Sequence, residues 1–379
     1  MKIGKKQGLL VVYKIEKYDI FVNTEGVMEA KEIFAQRLKS ARVMKGYSMD
    51  ELVTAMDNIL SKMTISKYEK GLIAPNSTIL IALSNALGQP VDYFFRPIAV
   101  QVESIKFRKK KSKLSVKQEN SIKENISDLV ERYITIEEIC NKTVPFESPF
   151  KKKITYPKQV KEAAMNLREI WNIGVDGIVN VIDLLEEHGI KVVEVEASDS
   201  FDGLSTLVND KYPVIVLNKN FQSERKRFTA LHELGHILFS FGGSVSEKEE
   251  ESLCNLFANE MLILEQEFKR LVGNFRHDIS YQELRSIQLQ YGISCDALMY
   301  KAKNNGIISE QRYKTYYYQK SRSKEFKKLV ERNLYPNEES NRFNSLVYNA
   351  LSNELITVSK AASLLNQSIE QVRKDLALV

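Results

Sequence analysis

Through residues 29–95 apolar side chains return every three or four positions, the spacing of short amphipathic helices. Phe34, Leu38 and Ala41 share one face of a first helix. Ser48, with Glu51 three positions later, makes the capping box of a second, which Leu52, Ala55 and Met56 carry inward. Ser61 caps a third that passes through Ile65 and Tyr68 and stops at Gly71. Pro75 and Asn76 open a fourth, in which Ile79, Leu80, Ala82, Leu83, Ala86 and Leu87 are apolar and Gly88 ends the run. So many short helices in so short a stretch predict an all-α helix-turn-helix bundle. Residues 1–28 ahead of it read as a strand-like extension.

After Arg96 the pattern changes. Lys106, Arg108, Lys109, Lys110, Lys111 and Lys113 follow one another with no acid between them, which marks a boundary. Ile122, Ile126, Leu129, Val130, Tyr133 and Ile136 then predict one long amphipathic helix ending near Cys140, a spacer or the seam of a homodimer. With Pro145, Pro149 and Lys151 to Lys153 as a second junction, residues 96–155 read as a basic, helical linker.

Residues 156–306 mix two periods. A helix around Ala163 to Trp171 and another from Ile178 to Glu187, ended by Gly189, precede strands at Ile190 to Val195 and Val214 to Leu217, after which long helices follow. This is the pattern of an α+β domain. Residues 307–379 open with a basic, tyrosine-rich stretch (Tyr313, Tyr316, Tyr317, Tyr318, Lys320, Arg322, Lys324) and close with a helical unit from Phe343 to Leu378. They are expected to form a helical module packed on the α+β domain, with a second, winged-helix-like unit as the other reading.

At 379 residues the chain exceeds one compact core, and 43% hydrophobic with 27% charged residues excludes a disordered or fibrous class. The net charge of +6 permits a nucleic-acid partner without requiring one. Residues 29–95 hold eight basic and seven acidic side chains, so any affinity for DNA must come from local clustering and from the basic run beyond it. Cys140, Cys254 and Cys295 are scattered and odd in number, which fits a reducing compartment and small buried side chains. Leu9 to Tyr13, after Lys2, Lys5 and Lys6, is too short for a signal-peptide core or a membrane span. A cytoplasmic protein with no membrane partner is expected.

Imidazole is scarce, with only His188, His232, His236 and His277 in the whole chain. Two of the four lie in Leu231-His232-Glu233-Leu234-Gly235-His236, on a stretch patterned as helix. Positions i and i+4 sit one turn apart on one face, so both rings can reach one metal ion, and Glu233 can touch a water bound to it. A third ligand is required, and Glu247, Glu249, Glu250, Glu251 and Glu260 follow. Glu251 is preferred, because Glu251, Cys254, Asn255, Ala258, Met261 and Leu262 recur at three and four on the next amphipathic helix. Asn255 then shares the inward face and can accept an N–H from a ligating histidine; Glu260 is held in reserve. The chemistry this predicts is amide hydrolysis with zinc: Glu233 takes a proton from the attacking water and hands it to the leaving amine. His277 is a candidate electrophile or an ordinary surface or core histidine. Val214 to Leu217 is either an edge strand that takes an extended substrate or a core strand.

Arg227-Phe228-Thr229-Ala230-Leu231-His232-Glu233-Leu234-Gly235-His236, preceded by Pro213-Val214-Ile215-Val216-Leu217-Asn218 and followed by Glu251-Ser252-Leu253-Cys254-Asn255-Leu256-Phe257-Ala258, resembles the ImmA/IrrE family of metallopeptidases. The resemblance spans roughly Ala163 to Ile307 and departs at Leu262-Ile263-Leu264, where the family usually has a proline. It implies a zincin-like α+β domain, with His232, His236 and Glu251 as zinc ligands and Glu233 as the catalytic residue. It also implies a repressor-type protein substrate, since family members act on repressors in mobile-element induction and damage response.

Leu38, Arg42, Ser48, Glu51-Leu52, Ser61, Ile65-Ser66-Lys67-Tyr68-Glu69-Lys70-Gly71, Pro75, Leu83 and Leu87-Gly88 are similar to the Xre/Cro type of helix-turn-helix, with Met49 where glutamine is common. In such a bundle the third helix enters the major groove of a double-stranded operator by its first residues. Ser48, Ser61, Lys62, Met63, Thr64, Lys67 and Lys70 are the candidate DNA contacts, with Lys70 and Arg42 toward the phosphate backbone. The expectation is a DNA-binding zinc endopeptidase that cleaves or inactivates a repressor or antitoxin partner, in control of a mobile element, a toxin–antitoxin pair or a stress response. The alternative is a transcriptional regulator whose peptidase-like domain is a sensor or binding surface with little turnover.

Overall fold

The structure is a computed structural model that describes residues 11–15, 18–22, 30–98, 115–150, 153–243 and 245–377; the basic run from Lys106 to Lys113 lies outside them. The chain forms two compact units. One takes the residues up to 98, then 115–143 and 343–377; the other takes residues 144–342.

In the first unit, β1 (Val11–Ile15) and β2 (Tyr18–Val22) pair antiparallel, Val11 opposite Val22 and Ile15 opposite Tyr18. The bundle follows as α1 (Ala30–Met44), α2 (Met49–Ala55), α3 (Lys62–Glu69) and α4 (Ser77–Leu87), closed by a 3-10 turn at Val91–Phe95. Short polar side chains start the helices by satisfying their orphan N–H groups. Ser48 Oγ accepts from Glu51 N while the Glu51 carboxylate accepts from Ser48 N, Ser61 Oγ accepts from Thr64 N, and Asn76 Oδ1 accepts from Ile79 N. Phe34, Leu38, Ala41, Leu52, Ile65, Tyr68, Leu83, Leu87 and Phe94 form the core. Leu38, Leu52, Ile65 and Leu83 are fully buried, each worth roughly 1.5–3 kcal/mol against exposure.

Residues 96–155 were expected to be a linker, and part of them is core instead. The long helix α5 (Val116–Ile139), started by a Ser115–Gln118 capping box, packs against α1. Its stripe of Ile122, Ile126, Val130, Tyr133, Ile134 and Ile136 is buried within the chain, so the residues that suggested a homodimer seam are covered here by the protein's own segments.

The second unit runs β3 (Lys153–Ile154), α6 (Pro157–Ile170), α7 (Val181–Glu187), β4 (Lys191–Val195), β5 (Gly203–Val208), β6 (Tyr212–Asn218), α8 (Ser223–Leu238), β7 (Ser240–Phe241) and α9 (Glu247–Leu262). Then come α10 (Glu265–Val272), α11 (Tyr281–Tyr291), α12 (Cys295–Asn304), α13 (Glu310–Arg322) and α14 (Lys324–Val330). The sheet order is β4-β6-β5, with β6 parallel to β4 and antiparallel to β5. Val214 to Leu217 are therefore central, buried and paired on both sides, and cannot take a substrate strand. The edges are β4 and β5, of which the sequence pattern missed β5: Gly203, Ser205 and Thr206 interrupt the apolar alternation that marks a strand. A hydrophobic core from Val160 through Leu217, Leu231, Phe257 and Met261 to Leu298 joins the sheet to the helices.

Tyr316, from the tyrosine-rich stretch, is buried in this unit and donates to Asp296. Beyond it the chain departs from expectation. The helices α15 (Arg342–Ser352), α16 (Val358–Leu365) and α17 (Ile369–Leu376) pack not on the α+β unit but on α5, where Leu346, Val347, Ala350, Ala361, Leu364 and Val372 cover Tyr133 and Ile136. The physical reason is the apolar stripe of α5, which needs a partner on the side away from α1. Among the described residues no helix is long and apolar enough to cross a membrane.

Buried charge fixes this arrangement. Arg37 of α1 donates to both carboxylate oxygens of Glu131 on α5, at 2.8 and 2.6 Å, and to the carbonyls of Arg96 and Pro97. Arg96 pairs with Asp128 and donates to Ser363 O, and Arg132 donates to Asp128 and, at 2.6 Å, to Leu364 O. All five side chains are nearly inaccessible. Burial works against ionisation of Asp128, yet Arg132 and Arg96 outweigh it and hold the carboxyl below its ordinary range.

Asp128→Asn leaves two buried guanidiniums short of their counter-charge and is expected to cost about 3–5 kcal/mol. Urea unfolding followed by far-UV circular dichroism measures this, and a loss below about 1 kcal/mol would show the carboxylate to be dispensable. The sign with pH follows from the depressed folded-state titration. The contribution of Asp128 is complete above the usual aspartate range, about pH 4, and is lost as pH falls through and below it, so the variant should show a flatter acid limb of stability.

Candidate metal centre

The site is built on α8, and its first turns are pinned by charge. Arg227 is fully buried and donates to Ile178 O at 2.8 Å, Tyr291 O at 3.1 Å and Gly292 O at 3.2 Å, while pairing with Glu338. Glu338 in turn accepts from Val181 N at the start of α7. Glu224 accepts from Gln288 Nε2 and Leu334 N, each at 3.0 Å. The helix that carries the histidines is thus held by three other segments of its unit.

A close helix contact brings in the remaining donor. A Cβ at Gly235 would stand 3.2 Å from Cys254 Sγ and from Phe257 Cδ1, so glycine here lets α9 lie against α8. On α9, Glu251 faces the two histidines. His232 Nε2 and His236 Nε2 are 3.1 Å apart, and they lie 3.3 and 3.1 Å from Oε2 and Oε1 of Glu251. Both imidazoles are buried, whereas the Glu251 side chain is 34% exposed, which leaves the cluster open to solvent on one side. Among the described residues these three form the group able to hold a metal ion.

Ring orientation is set from behind. His232 Nδ1 lies 2.9 Å from Asn255 Oδ1, where a proton on Nδ1 would be accepted and the Nε2 lone pair left facing the cluster. His236 Nδ1 lies 3.4 Å from Cys254 Sγ. The expected residues His232, His236, Glu251 and Asn255 are thus brought together. Cys254 was read as a small buried side chain on the same face as Glu251, with no role at His236 assigned to it. Glu233, itself buried, accepts from Ser205 Oγ at 2.8 Å across from β5. No sequence signal marked Ser205, which lies 28 residues from its partner.

Other candidates lie elsewhere. Glu260 is buried against Lys301 at 2.5 Å and accepts from Glu265 N, which removes it as a reserve ligand. His277 is exposed beside Phe275 and is not among the converging donors. His188 stacks on Trp171 with ring centroids 4.1 Å apart and bonds to Leu184 O.

In the bundle, Ser48 and Ser61 serve as helix caps. Met63 is 68% exposed, Lys67 and Lys70 are exposed, and Thr64 is half-buried with its hydroxyl 2.9 Å from Ser61 Oγ. Lys62 meets Asp50 at 2.6 Å in an exposed pair. Arg42 was expected at the DNA backbone. It is instead held by Glu69 through two hydrogen bonds, at 2.6 and 3.0 Å, tying α1 to α3 inside the bundle.

Comparison with known proteins follows the same division. Residues 185–303 match the family described as the IrrE N-terminal-like domain, a peptidase family, and residues 38–94 match the family described as helix-turn-helix. A search of curated proteins found no match. The bundle and the His232–His236–Glu251 cluster therefore sit in segments that match two known families, and the chain is a fusion of an Xre-type helix-turn-helix domain with an IrrE/ImmA-like peptidase-family domain.

Proposed function

We propose that the chain is a DNA-tethered zinc endopeptidase that cleaves a repressor- or antitoxin-type partner, with His232, His236 and Glu251 as zinc ligands and Glu233 as general base and acid. The observation that carries this reading is the convergence of His232, His236 and Glu251: the two Nε2 atoms stand 3.1 Å apart, each lies 3.1–3.3 Å from one of the two Glu251 carboxylate oxygens, and one ligand atom from each residue falls within 4.8 Å of the others. Donors about 2.0–2.1 Å from a tetrahedral zinc ion stand about 3.3 Å from one another, and two imidazoles with one carboxylate leave a fourth position for water.

Zinc in this position supplies a Lewis acid that polarises the peptide carbonyl and makes water acidic enough to attack near neutral pH. The chain's own residues do the rest. Glu233, next to a ligand on the same helix turn, takes the proton of the attacking water and returns it to the leaving amine. Asn255 and Cys254 keep the two imidazoles turned with Nε2 inward. β5, at the edge of the sheet and beside Glu233, is the strand along which an extended peptide can lie. The bundle provides the tether: Met63, Thr64, Lys62 and Lys67 at the start and outer face of α3 are positioned to meet base edges and phosphates, with Lys70 at the backbone and the Ser48 and Ser61 caps at the helix starts.

Metal analysis of the purified chain should find one zinc per molecule, and His236→Ala should lose it. Glu233→Gln should keep zinc and DNA binding while lowering cleavage of the partner by about 10²–10⁴-fold. The partner is identified by its co-purification with the Glu233→Gln protein. Relief of the partner's repression that survives this substitution undiminished would overturn the peptidase reading in favour of a binding role. For the tether, Lys62→Ala with Lys67→Ala should weaken operator binding and reduce its salt slope by roughly 2, about one unit per phosphate contact. An unchanged gel-shift titration would remove α3 from the DNA interface.

A further inference from the structure

We propose that Ser205 is a positioning residue for Glu233, holding the carboxylate in the place from which it handles protons; this deepens the peptidase reading above and rests on it. The starting point is how β5 lies against α8. A Cβ built on Gly203 would meet Thr229 Cγ2 at 2.7 Å and Val216 O at 2.6 Å, so Gly203 faces α8 and allows a closer approach than any larger residue. Two residues on, the same face of the strand presents Ser205 to Glu233, four residues after Thr229 on the helix. Two strand residues advance about 6.6–6.8 Å and four helix residues about 6 Å, so strand and helix keep step from one contact to the next.

This register has a chemical result. Serine is the shortest hydroxyl side chain, and it spans the gap only because Gly203 has narrowed it. The Oγ–Oε2 distance is 2.8 Å, with Ser205 6% and Glu233 3% accessible, so the bond is made away from bulk water. A hydroxyl is an awkward group at a buried strand position, where valine or alanine would pack at no cost in polarity. Here it donates its proton to Glu233, the carboxylate adjacent in sequence to His232 and distinct from the proposed ligand Glu251. A glutamate side chain has three soft torsions, and a general base must sit within hydrogen-bond reach of the water it deprotonates. Fixing one oxygen removes most of that freedom before substrate arrives, and misplacement of a catalytic group by about 1 Å can cost on the order of 10²-fold in rate.

The test uses the full chain loaded with zinc, and acetohydroxamate as the probe. A hydroxamate chelates zinc through its two oxygens and donates its N–O–H proton to the general-base carboxylate, so its affinity reports where Glu233 stands without any turnover. Calorimetry on wild type, Ser205→Ala, Ser205→Thr and Glu233→Gln, with zinc content measured on each, should give one zinc throughout. Binding should be about tenfold weaker for Ser205→Ala and restored within about twofold by Ser205→Thr, which keeps the hydroxyl. The double variant Ser205→Ala with Glu233→Gln should bind no more weakly than Glu233→Gln alone, since Ser205 acts through Glu233. With a partner substrate, Ser205→Ala should lower kcat and leave KM unchanged. Zinc bound with Ser205→Ala indistinguishable from wild type, or with the two substitutions additive, overturns the positioning role and leaves the peptidase reading intact. Absence of zinc, or of acetohydroxamate binding, in the wild-type chain overturns the peptidase reading itself and the inference with it. Should Ser205→Ala fail to fold by circular dichroism, Gly203→Ala, which retains the hydroxyl but pushes β5 off α8, is expected to reproduce the affinity loss; wild-type affinity there equally counts against the role.

Discussion

Two imidazole nitrogens of one helix stand 3.1 Å apart, each 3.1–3.3 Å from a carboxylate oxygen of Glu251 on the next, and the second unit depends on the packing that keeps them there. Such donors repel one another, so their closeness has to be imposed by the surrounding fold. Gly235 contributes by omission, since a Cβ there would press to 3.2 Å from Cys254 Sγ and Phe257 Cδ1 on α9, the helix that carries Glu251. Arg227 imposes it by attachment, because a buried guanidinium satisfied by three particular carbonyls and one carboxylate admits a single placement of α8. Asn255 and Cys254 complete the constraint at the level of ring rotation.

The first unit applies the same physics to chain connectivity. Apolar stripes such as that of α5 accept many partners, because hydrophobic contact carries little direction. The arginines discriminate. Arg96 and Arg132 each place an N–H on a carbonyl of α16, and Arg37 spans from α1 to Glu131 of α5, so three stretches remote in sequence are admitted in one arrangement. Burying these charges is costly and is repaid only by complete satisfaction. That is why the C-terminal helices end up with the bundle rather than with the α+β unit that precedes them in the chain.

Legibility from sequence followed the range of the interactions involved. Helix caps are local, and Ser48, Ser61 and Asn76 could be recognised from neighbours three residues away. The histidine pair and its neighbour Glu233 are local too, and the third donor lay within one further helix. Contacts between distant segments left no periodic trace. Ser205 in a strand of mixed polarity, Cys254 behind a histidine and Arg42 turned inward to Glu69 are each explained only by what lies across from them. The tail was misplaced for the same reason: its own apolar pattern shows that it needs a partner, and the contacts of Arg96 and Arg132 with α16 that help choose it leave no trace in that pattern.

The distinction between buried and exposed charge also bears on a helix-turn-helix bundle of nearly balanced composition. Arg37 and Arg42 are consumed inside the protein by Glu131 and Glu69, so they add nothing to the external field. Lys62 is different. Its pair with Asp50 is solvent-exposed on both sides, of the kind worth little to stability, and it can be exchanged for a phosphate at small expense. Lys67 and Lys70 stand exposed on or just beyond the same helix, with Met63 between them and the helix start. The positive charge that matters is therefore a feature of one helix face, not of the domain total.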